Sequence, residues 1–313
     1  MDADQIEKIV NAIVAELTLL QKPATAREPG HPVPPVRTQP AYPPAAAASS
    51  GWGLDLPDLT ASGFREQPAV DHPEDADGLQ ALMDATPARI GYGRAGPRYR
   101  TKHWLIFQAD QAITQDTLYR DVDEALLARM GLFKVQTCIA AGKQEYLLRP
   151  DLGRQLSEEA KSVIRQRCTP KPNIQVVVGD GVSAQAIESN LDQIMPVIQQ
   201  GCQAAGLSMG TPFFVQYCRV GVINDIGDIL QPDVLMLLIG ERPGLGRADS
   251  MSVYMGYHPQ GGQSDADRDV ICNVFNGGTN PLEAGAYAVQ LAQKMILHQA
   301  AGVRLKLAEG GQA

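Results

Sequence analysis

The chain has 313 residues, 44% of them apolar, and a formal charge of -8, so it can bury a core as one large or two ordinary domains. The acidic balance excludes a phosphate-backbone binder, which would concentrate Lys and Arg to displace counterions, and no nucleic-acid partner is expected. The longest apolar run, around Val234 to Gly240, falls far short of the roughly 20 residues of a membrane helix, so no membrane association is expected. The start of the sequence carries no basic stretch followed by a compact apolar one, which points away from a secretory signal. Five cysteines (Cys138, Cys168, Cys202, Cys218, Cys272) are scattered without a CxxC pair and read as reduced, mostly buried thiols.

Residues Asp4 to Leu20 place Ile6, Ile9, Val10, Ile13, Leu17 and Leu20 at spacings of three and four, which predicts a short amphipathic helix. Alone in water such a helix is marginal, so its stripe needs a surface, either on this chain's own body or on a partner. Lys22 to Ser50 is rich in Pro and Ala and is expected to be an extended, poorly ordered tether. From Leu54 to Ala88, short helical patterns are broken by Pro57, Pro68, Pro73 and Pro87. The stretch RIGYGRAGPRYR (Arg89 to Arg100) mixes three glycines with four arginines and two tyrosines ahead of a helical stretch through Gln108 to Tyr119. Such a loop either presents guanidinium groups to a carboxylate, phosphate or acidic partner face, or is simply solvated.

Beyond it, strand and helix alternate. Ile174 to Val178 reads as a buried strand, followed by a Gly179-Asp180-Gly181 turn and a helix from Ser183 to Gln200 interrupted at Pro196. Phe213 to Val222 reads as β-rich, ending near Asn224 to Asp228; Val234 to Ile239 is a second buried strand leading into Gly240 to Gly246. Ser252 to Tyr257 and Asp269 to Phe275 are further strands, and Pro281 to His298 is a long helix with proline in its first turn. The expected organisation is an amphipathic segment at 1–21, a linker at 22–52, a mainly helical region at 53–150, and an α/β domain at 151–313. That domain is expected to hold a Rossmann-like, largely parallel sheet with flanking helices.

In such sheets ligands sit beyond the carboxyl ends of the strands, which singles out VVVGDGVSA and LLIGERPGLG, where Asp180 or Glu241 can accept hydrogen bonds from amides or hydroxyls. The glycine spacing matches neither GxGxxG nor GxxxxGK[ST], and GxSxG is absent. The five histidines are dispersed and form no metal pair.

Seven collinear motifs carry more. They are GRAGPRYRT (93–101), RPDLGRQLS (149–157), GDGVSAQAI (179–187), GTPFFVQYCRV (210–220), IGDIL (226–230), IGERPGLG (239–246) and NGGTNPLEAGA (276–286). Together they resemble the small subunit (light chain) of ethanolamine ammonia-lyase. The resemblance implies a lyase subunit that converts ethanolamine to acetaldehyde and ammonia by a radical route using adenosylcobalamin (coenzyme B12), with the large subunit carrying the substrate site and cobalamin held between the two. No catalytic residue and no metal ligand is then expected in this chain. The absence of D-x-H-x-x-G implies that the cofactor's benzimidazole stays on cobalt, the base-on form.

The family's cofactor contacts fall on Val220, Glu241 and Val270, with Arg219 as an additional contact to the nucleotide tail or the partner. At the third position the family pattern has cysteine, whereas this chain has Val270 with Cys272 two residues on. The resemblance also implies a bacterial cytoplasmic protein packaged in a microcompartment, with the N-terminal helix docking to shell proteins. On the residues alone, two further readings stand beside this one: an autonomous α/β enzyme taking a nucleotide or phosphate ligand on its glycine-rich loops, and a structural adaptor.

Overall fold

The fold is built around two apolar runs, IQVVVG and VLMLLIG, that lie side by side as parallel strands β4 (Ile174–Gly179) and β6 (Val234–Gly240) and are buried along their whole length. Strands buried on both faces lose the usual apolar-polar alternation and read as continuous apolar stretches. The computed structural model describes residues 58–310 except 60, 62–64 and 87, all within one unit, Pro57–Ala313. The expected helix at 1–21 and linker at 22–52 lie outside the described residues.

Among the described residues the main sheet has six strands in the order β3-β5-β4-β6-β7-β8, where β3 is Phe133–Gln136, β5 Phe213–Gln216, β7 Met251–Tyr257 and β8 Arg268–Val274. The first four are parallel, while β7 pairs antiparallel with both β6 and β8. The protein is therefore mixed α/β with a mostly parallel sheet. A small β1–β2 hairpin (Arg94–Ala95, Arg98–Tyr99) lies apart from it.

Alternate residues of the central strands supply two cores. Ile174, Val176, Val178, Val234, Met236 and Leu238 pack on one face with helices α6 (Ala184–Ala204) and α8 (Pro281–His298). Val177, Leu235, Leu237, Phe213 and Val215 pack on the other with α5 (Glu158–Arg167) and α7 (Val222–Leu230). The remaining helices among the described residues are α1 (Ala76–Asp84), α2 (Thr101–Tyr119), α3 (Glu124–Arg129), α4 (Lys143–Leu148) and α9 (Val303–Gly310).

Several expectations need correction. The helix after β4 is not broken at Pro196 but runs on to Ala204. Proline costs about 3 kcal/mol in a helix interior. Burying Ile194, Met195 and Ile198, all at most 2% exposed, returns about 1.5–3 kcal/mol each, so packing wins. The β-rich stretch from Phe213 ends as a strand at Gln216, because Tyr217 takes a left-handed φ of 58° and turns the chain out of the sheet. The chain then enters α7, whose buried Val222, Ile223, Ile226 and Leu230 keep helical spacing. Strand β3 lies in the region read as mainly helical; four residues long, with Phe133 and Val135 inward and Lys134 outward, it forms the sheet's edge. Helix α2 begins at Thr101, well before the expected Gln108. The strands at 251–257 and 268–274 and the helix at 281–298 fall where expected, the last capped by the Asn280 side chain, which accepts from the Leu282 amide at 2.8 Å.

On α2, His103 is fully buried against Tyr92, with ring centroids 4.2 Å apart, and neither ring nitrogen has a hydrogen-bond partner among the described residues. Burial pushes its pKa down, with Lys102 and Arg100 adding to the effect. The folded value thus lies below the unfolded one of about 6.5, so the unfolded chain binds the extra proton and stability present above that pH is lost below it. Thermal unfolding measured from pH 7.5 to 5.5 is expected to fall in Tm for the native chain, with a smaller fall for H103F; equal falls would show that this histidine does not drive the loss.

Candidate functional site

The sheet order creates a crevice. The connection from β4 through α6 reaches β5 on one side, whereas that from β5 through α7 crosses back over β4 to reach β6 on the other. Such crossovers are right-handed, so reversing direction moves the helix to the opposite face, with α6 on one face of the sheet and α7 on the other. Ligands of open α/β sheets bind at this switch point. Here a cleft of about 280 Å³ opens beyond the strand ends. Arg219, Val220, Glu241 and Val270, taken from distant stretches of sequence, all line it.

The two central loops meet backbone to backbone. Gly181 has φ +54°, and a Cβ there would lie 2.1 Å from the Gly240 carbonyl; a Cβ on Gly240 would lie 2.1 Å from the Ser183 carbonyl. The Val182 amide donates to the Gly240 carbonyl at 3.2 Å. Asp180, expected as a ligand acceptor, is instead fully buried outside the cleft lining. Its carboxylate accepts from the Tyr217 amide (2.9 Å), the Cys218 amide (2.8 Å) and Lys143 Nζ (3.0 Å). Burial pushes the Asp180 carboxyl up, against the opposing pull of Lys143 and the two amides.

Glu241 lines the cleft at the end of β6, and its carboxylate is largely engaged. Oε2 accepts from the Ser250 hydroxyl at 2.6 Å, while Oε1 accepts from the Ser252 hydroxyl at 2.5 Å and the Asn273 amide at 3.0 Å. A carboxylate offers about four acceptor positions, so roughly one remains for a ligand. The side chain thus braces β6 against β7 and β8 as well as facing the cleft.

Two arginines line the cleft, an exposed Arg242 and a half-buried Arg219. The Arg219 guanidinium stacks over the Tyr146 ring at 4.2 Å and donates to the Tyr146 carbonyl at 3.2 Å. Its Nε is buried without a hydrogen-bond partner, and no carboxylate of the described residues forms an ion pair with it. A guanidinium carries five donors, so this one keeps donors for an anion or a carbonyl group. Val270, 48% exposed, and Cys272 project from the same face of β8 into the same cleft. The thiol two residues on from the expected position therefore stays within the site. Tyr146, Ser252 and Tyr254 also line the cleft and were not anticipated, since Tyr146 lies on α4, far from any of the glycine loops in sequence.

The arginine-rich stretch mostly serves the chain itself. Arg89 pairs with the buried Asp110 and donates to the Leu245 carbonyl at 2.9 Å, Arg100 pairs with Asp71, and Arg94 stacks on Tyr99 at 4.4 Å. All five cysteines are free; Cys168, Cys202 and Cys218 are buried and Cys272 is exposed. Among the described residues no group of three His, Cys, Asp or Glu side chains converges on a metal position, and no helix is long and apolar enough to cross a membrane.

A mostly parallel sheet with a partly charged cleft at its switch point is an arrangement able to take a ligand, and comparison with known proteins places the chain further. Residues 76–306 match the model of the family described as Ethanolamine ammonia-lyase light chain (EutC). The chain is 42% identical over 251 residues to the ethanolamine ammonia-lyase small subunit of Clostridium perfringens, covering 80% of this chain and 85% of that protein. It is 44% identical, with the same coverage, to the small subunits of Listeria monocytogenes and Listeria innocua. The chain belongs to the ethanolamine ammonia-lyase light chain family.

Replacing Glu241 by Ala strands two hydroxyls and an amide, and E241A is expected to lose about 1–3 kcal/mol of stability. Gln keeps one acceptor oxygen for Ser252 and Asn273, while the Ser250 hydroxyl can turn to accept, so E241Q is expected to lose much less. Denaturant unfolding of both variants checks this; equal losses would remove the bracing role.

Proposed function

We propose that this chain is the small subunit of an adenosylcobalamin-dependent ethanolamine ammonia-lyase, and that its cleft holds one edge of the cofactor against a large catalytic subunit. The observation that carries this is the convergence of Arg219, Val220, Glu241 and Val270 on one cleft at the switch point of the sheet, in a chain of this family. We read that sheet as Rossmann-like. The residues suit the group: apolar walls from Val220 and Val270, a carboxylate with a remaining acceptor position for a corrin amide, and a guanidinium with spare donors for the phosphate of the nucleotide tail. When bound, the cofactor supplies cobalt-carbon homolysis, the hard step of converting ethanolamine to acetaldehyde and ammonia.

This chain's own part is binding and orientation. Arg219, held over the Tyr146 ring, would fix one anionic end; Glu241, held by three donors, would offer an acceptor in a set direction; Val220 and Val270 would supply apolar contact. No residue of the cleft is assigned to proton transfer or nucleophilic attack. The cofactor is read as base-on, with its own benzimidazole on cobalt. A protein imidazole on cobalt, seen by electron paramagnetic resonance, would overturn that reading.

The decisive experiment assembles the chain with its large subunit and measures ammonia release from ethanolamine with and without adenosylcobalamin. Activity requiring both chains and the cofactor is expected; activity of the large subunit alone, or none with the complete assembly, would refute the proposal. In the same assay R219A is expected to raise the adenosylcobalamin KM about tenfold, as the loss of a charge-assisted hydrogen bond of roughly 1.5 kcal/mol implies, with little change in kcat.

We further propose that residues 1–21 dock the enzyme to the shell proteins of a bacterial microcompartment in the cytoplasm, on the strength of the stripe Ile6, Ile9, Ile13 and Leu17. A fluorescent reporter fused to these residues is expected to enter compartments, and a diffuse reporter would count against it.

A further inference from the structure

The turn that presents Arg219 and Val220 to the cleft is fixed by more than packing. Five of its backbone groups each have a partner: the Tyr217 and Cys218 amides donate to the Asp180 carboxylate at 2.9 and 2.8 Å, and the Tyr217 carbonyl accepts from the Thr137 hydroxyl at 3.0 Å. The Cys218 carbonyl accepts from the Tyr146 hydroxyl at 2.8 Å, and the Arg219 amide donates to the Gly153 carbonyl at 2.8 Å. Tyr217 sits in the left-handed region at φ 58°, a conformation that a non-glycine residue keeps only where its surroundings over-determine it. Two consecutive amides at such a turn form a concave anion site, and here the anion is a side chain of the same protein.

Asp180 closes two of the five bonds at once. It is 1% exposed, and its cationic partner Lys143, whose side chain is 7% exposed, also lies over the Tyr146 and Tyr217 rings at 5.2 and 5.7 Å. Neither Asp180 nor Lys143 lines the cleft, so neither can touch a ligand there. A buried ion pair contributes little stability compared with apolar residues of the same volume, so stability alone is a poor reason for charges at this place.

We propose that the buried Asp180–Lys143 pair is the positioning device of the cofactor cleft, holding the Tyr217–Cys218 amides so that Arg219 and Val220 face the ligand. This deepens the functional reading of the cleft and rests on it. Asp180 and Lys143 are positioning residues, not catalytic ones.

The test uses the full-length chain assembled with its large subunit, with adenosylcobalamin as the probe. D180N and K143M each leave one buried group without its partner and are expected to lose thermal stability. The double variant D180N/K143M removes both charges and is expected to regain the part of that loss caused by the unpaired charge, while the D180N side chain still leaves one of the two backbone amides without an acceptor. Although stable, it is expected to show an adenosylcobalamin KM raised at least tenfold with kcat changed less than twofold, and amide exchange at Tyr217 and Cys218 at least tenfold faster. A stable double variant with an unchanged KM overturns the proposal, whatever its exchange rates, because a merely structural pair would behave in that way. Should the double variant not fold, K143Q, which can still donate to Asp180, is read by the same two measures, with about threefold changes expected and unchanged values overturning the proposal. If the unaltered assembly itself fails to bind adenosylcobalamin, the reading of the cleft falls instead. The positioning is then decided by exchange at Tyr217 and Cys218 alone, where unchanged rates overturn it.

Discussion

The structure depends on a contact with no side chain in it: the turn after β4 lies directly on the end of β6, with Val182 donating to the Gly240 carbonyl and no room for a Cβ at either Gly181 or Gly240. The cleft opens beside this contact, between the turn after β5 that carries Arg219 and Val220 and the neighbouring strands β7 and β8. The same closeness starts α6 at once. Ser183 caps it by accepting from the Ala186 amide at 3.2 Å, and its hydroxyl also donates to the Ala248 carbonyl, on the returning arm of the loop after β6. Asn190, further along α6, donates to the Asp249 carbonyl at 2.7 Å. The tip of that loop is held from elsewhere, by Thr114 and Arg89, which donate to the Gly244 and Leu245 carbonyls at 2.9 Å each. A glycine-rich loop would ordinarily be mobile; this one is tied at its root, its tip and its return.

The placement of charge obeys one pattern. The buried carboxylates Asp110 and Asp180 are both paired with cations, Asp110 with Arg65 and Arg89 and Asp180 with Lys143. Isolated buried charges are costly, so each is neutralised within the fold. Arg219 departs from the pattern, partly buried in the cleft and stacked on an aromatic ring with no carboxylate among the described residues as its ion-pair partner. Cation-π stacking compensates only part of the lost hydration, about 0.5–2 kcal/mol. The remaining deficit is what a bound anion would remove, and it distinguishes Arg219 from Arg89 and Arg100, which pair with carboxylates.

What the sequence revealed was governed by whether a feature is local. β4, β6 and α8 were legible because a doubly buried strand is an apolar run and a helix capped by Asn with Pro in its first turn announces its start. Helix α7 was hidden by Val220 and Val222, whose β propensity extended the apparent strand, although Val222, Ile223, Ile226 and Leu230 carried the helical period; the left-handed Tyr217 that ends β5 leaves no residue-type signal. The cleft residues were reached through resemblance to a family, since spacing alone offered Asp180 and Glu241 as equivalent acceptors. The fold separates those two: Asp180 turns inward to two amides and a lysine, and Glu241 stays at the surface of the cleft with three donors. Nothing local to Tyr146 or Tyr254 marks them as neighbours of Arg219 and Val270, because α4 and β7 reach the cleft only through the order of the strands.

The size of the cleft bears on how it can work. At about 280 Å³ it is at or below the lower end of pockets that enclose a drug-sized ligand, and a corrin is far larger than that. One wall, β8, also leaves Val270 48% exposed and Cys272 exposed. On the reading proposed above, such a site would contribute direction more than enclosure: a stacked guanidinium, a braced acceptor and an apolar edge left for a second surface to cover. Affinity in such a half-site depends on how little its groups must reorganise on binding, since ordering them afterwards would consume the small gain available from so few contacts. On that reading, the hydrogen-bonded turn at Tyr217–Arg219 and the braced Glu241 would matter more than the area of the cleft itself.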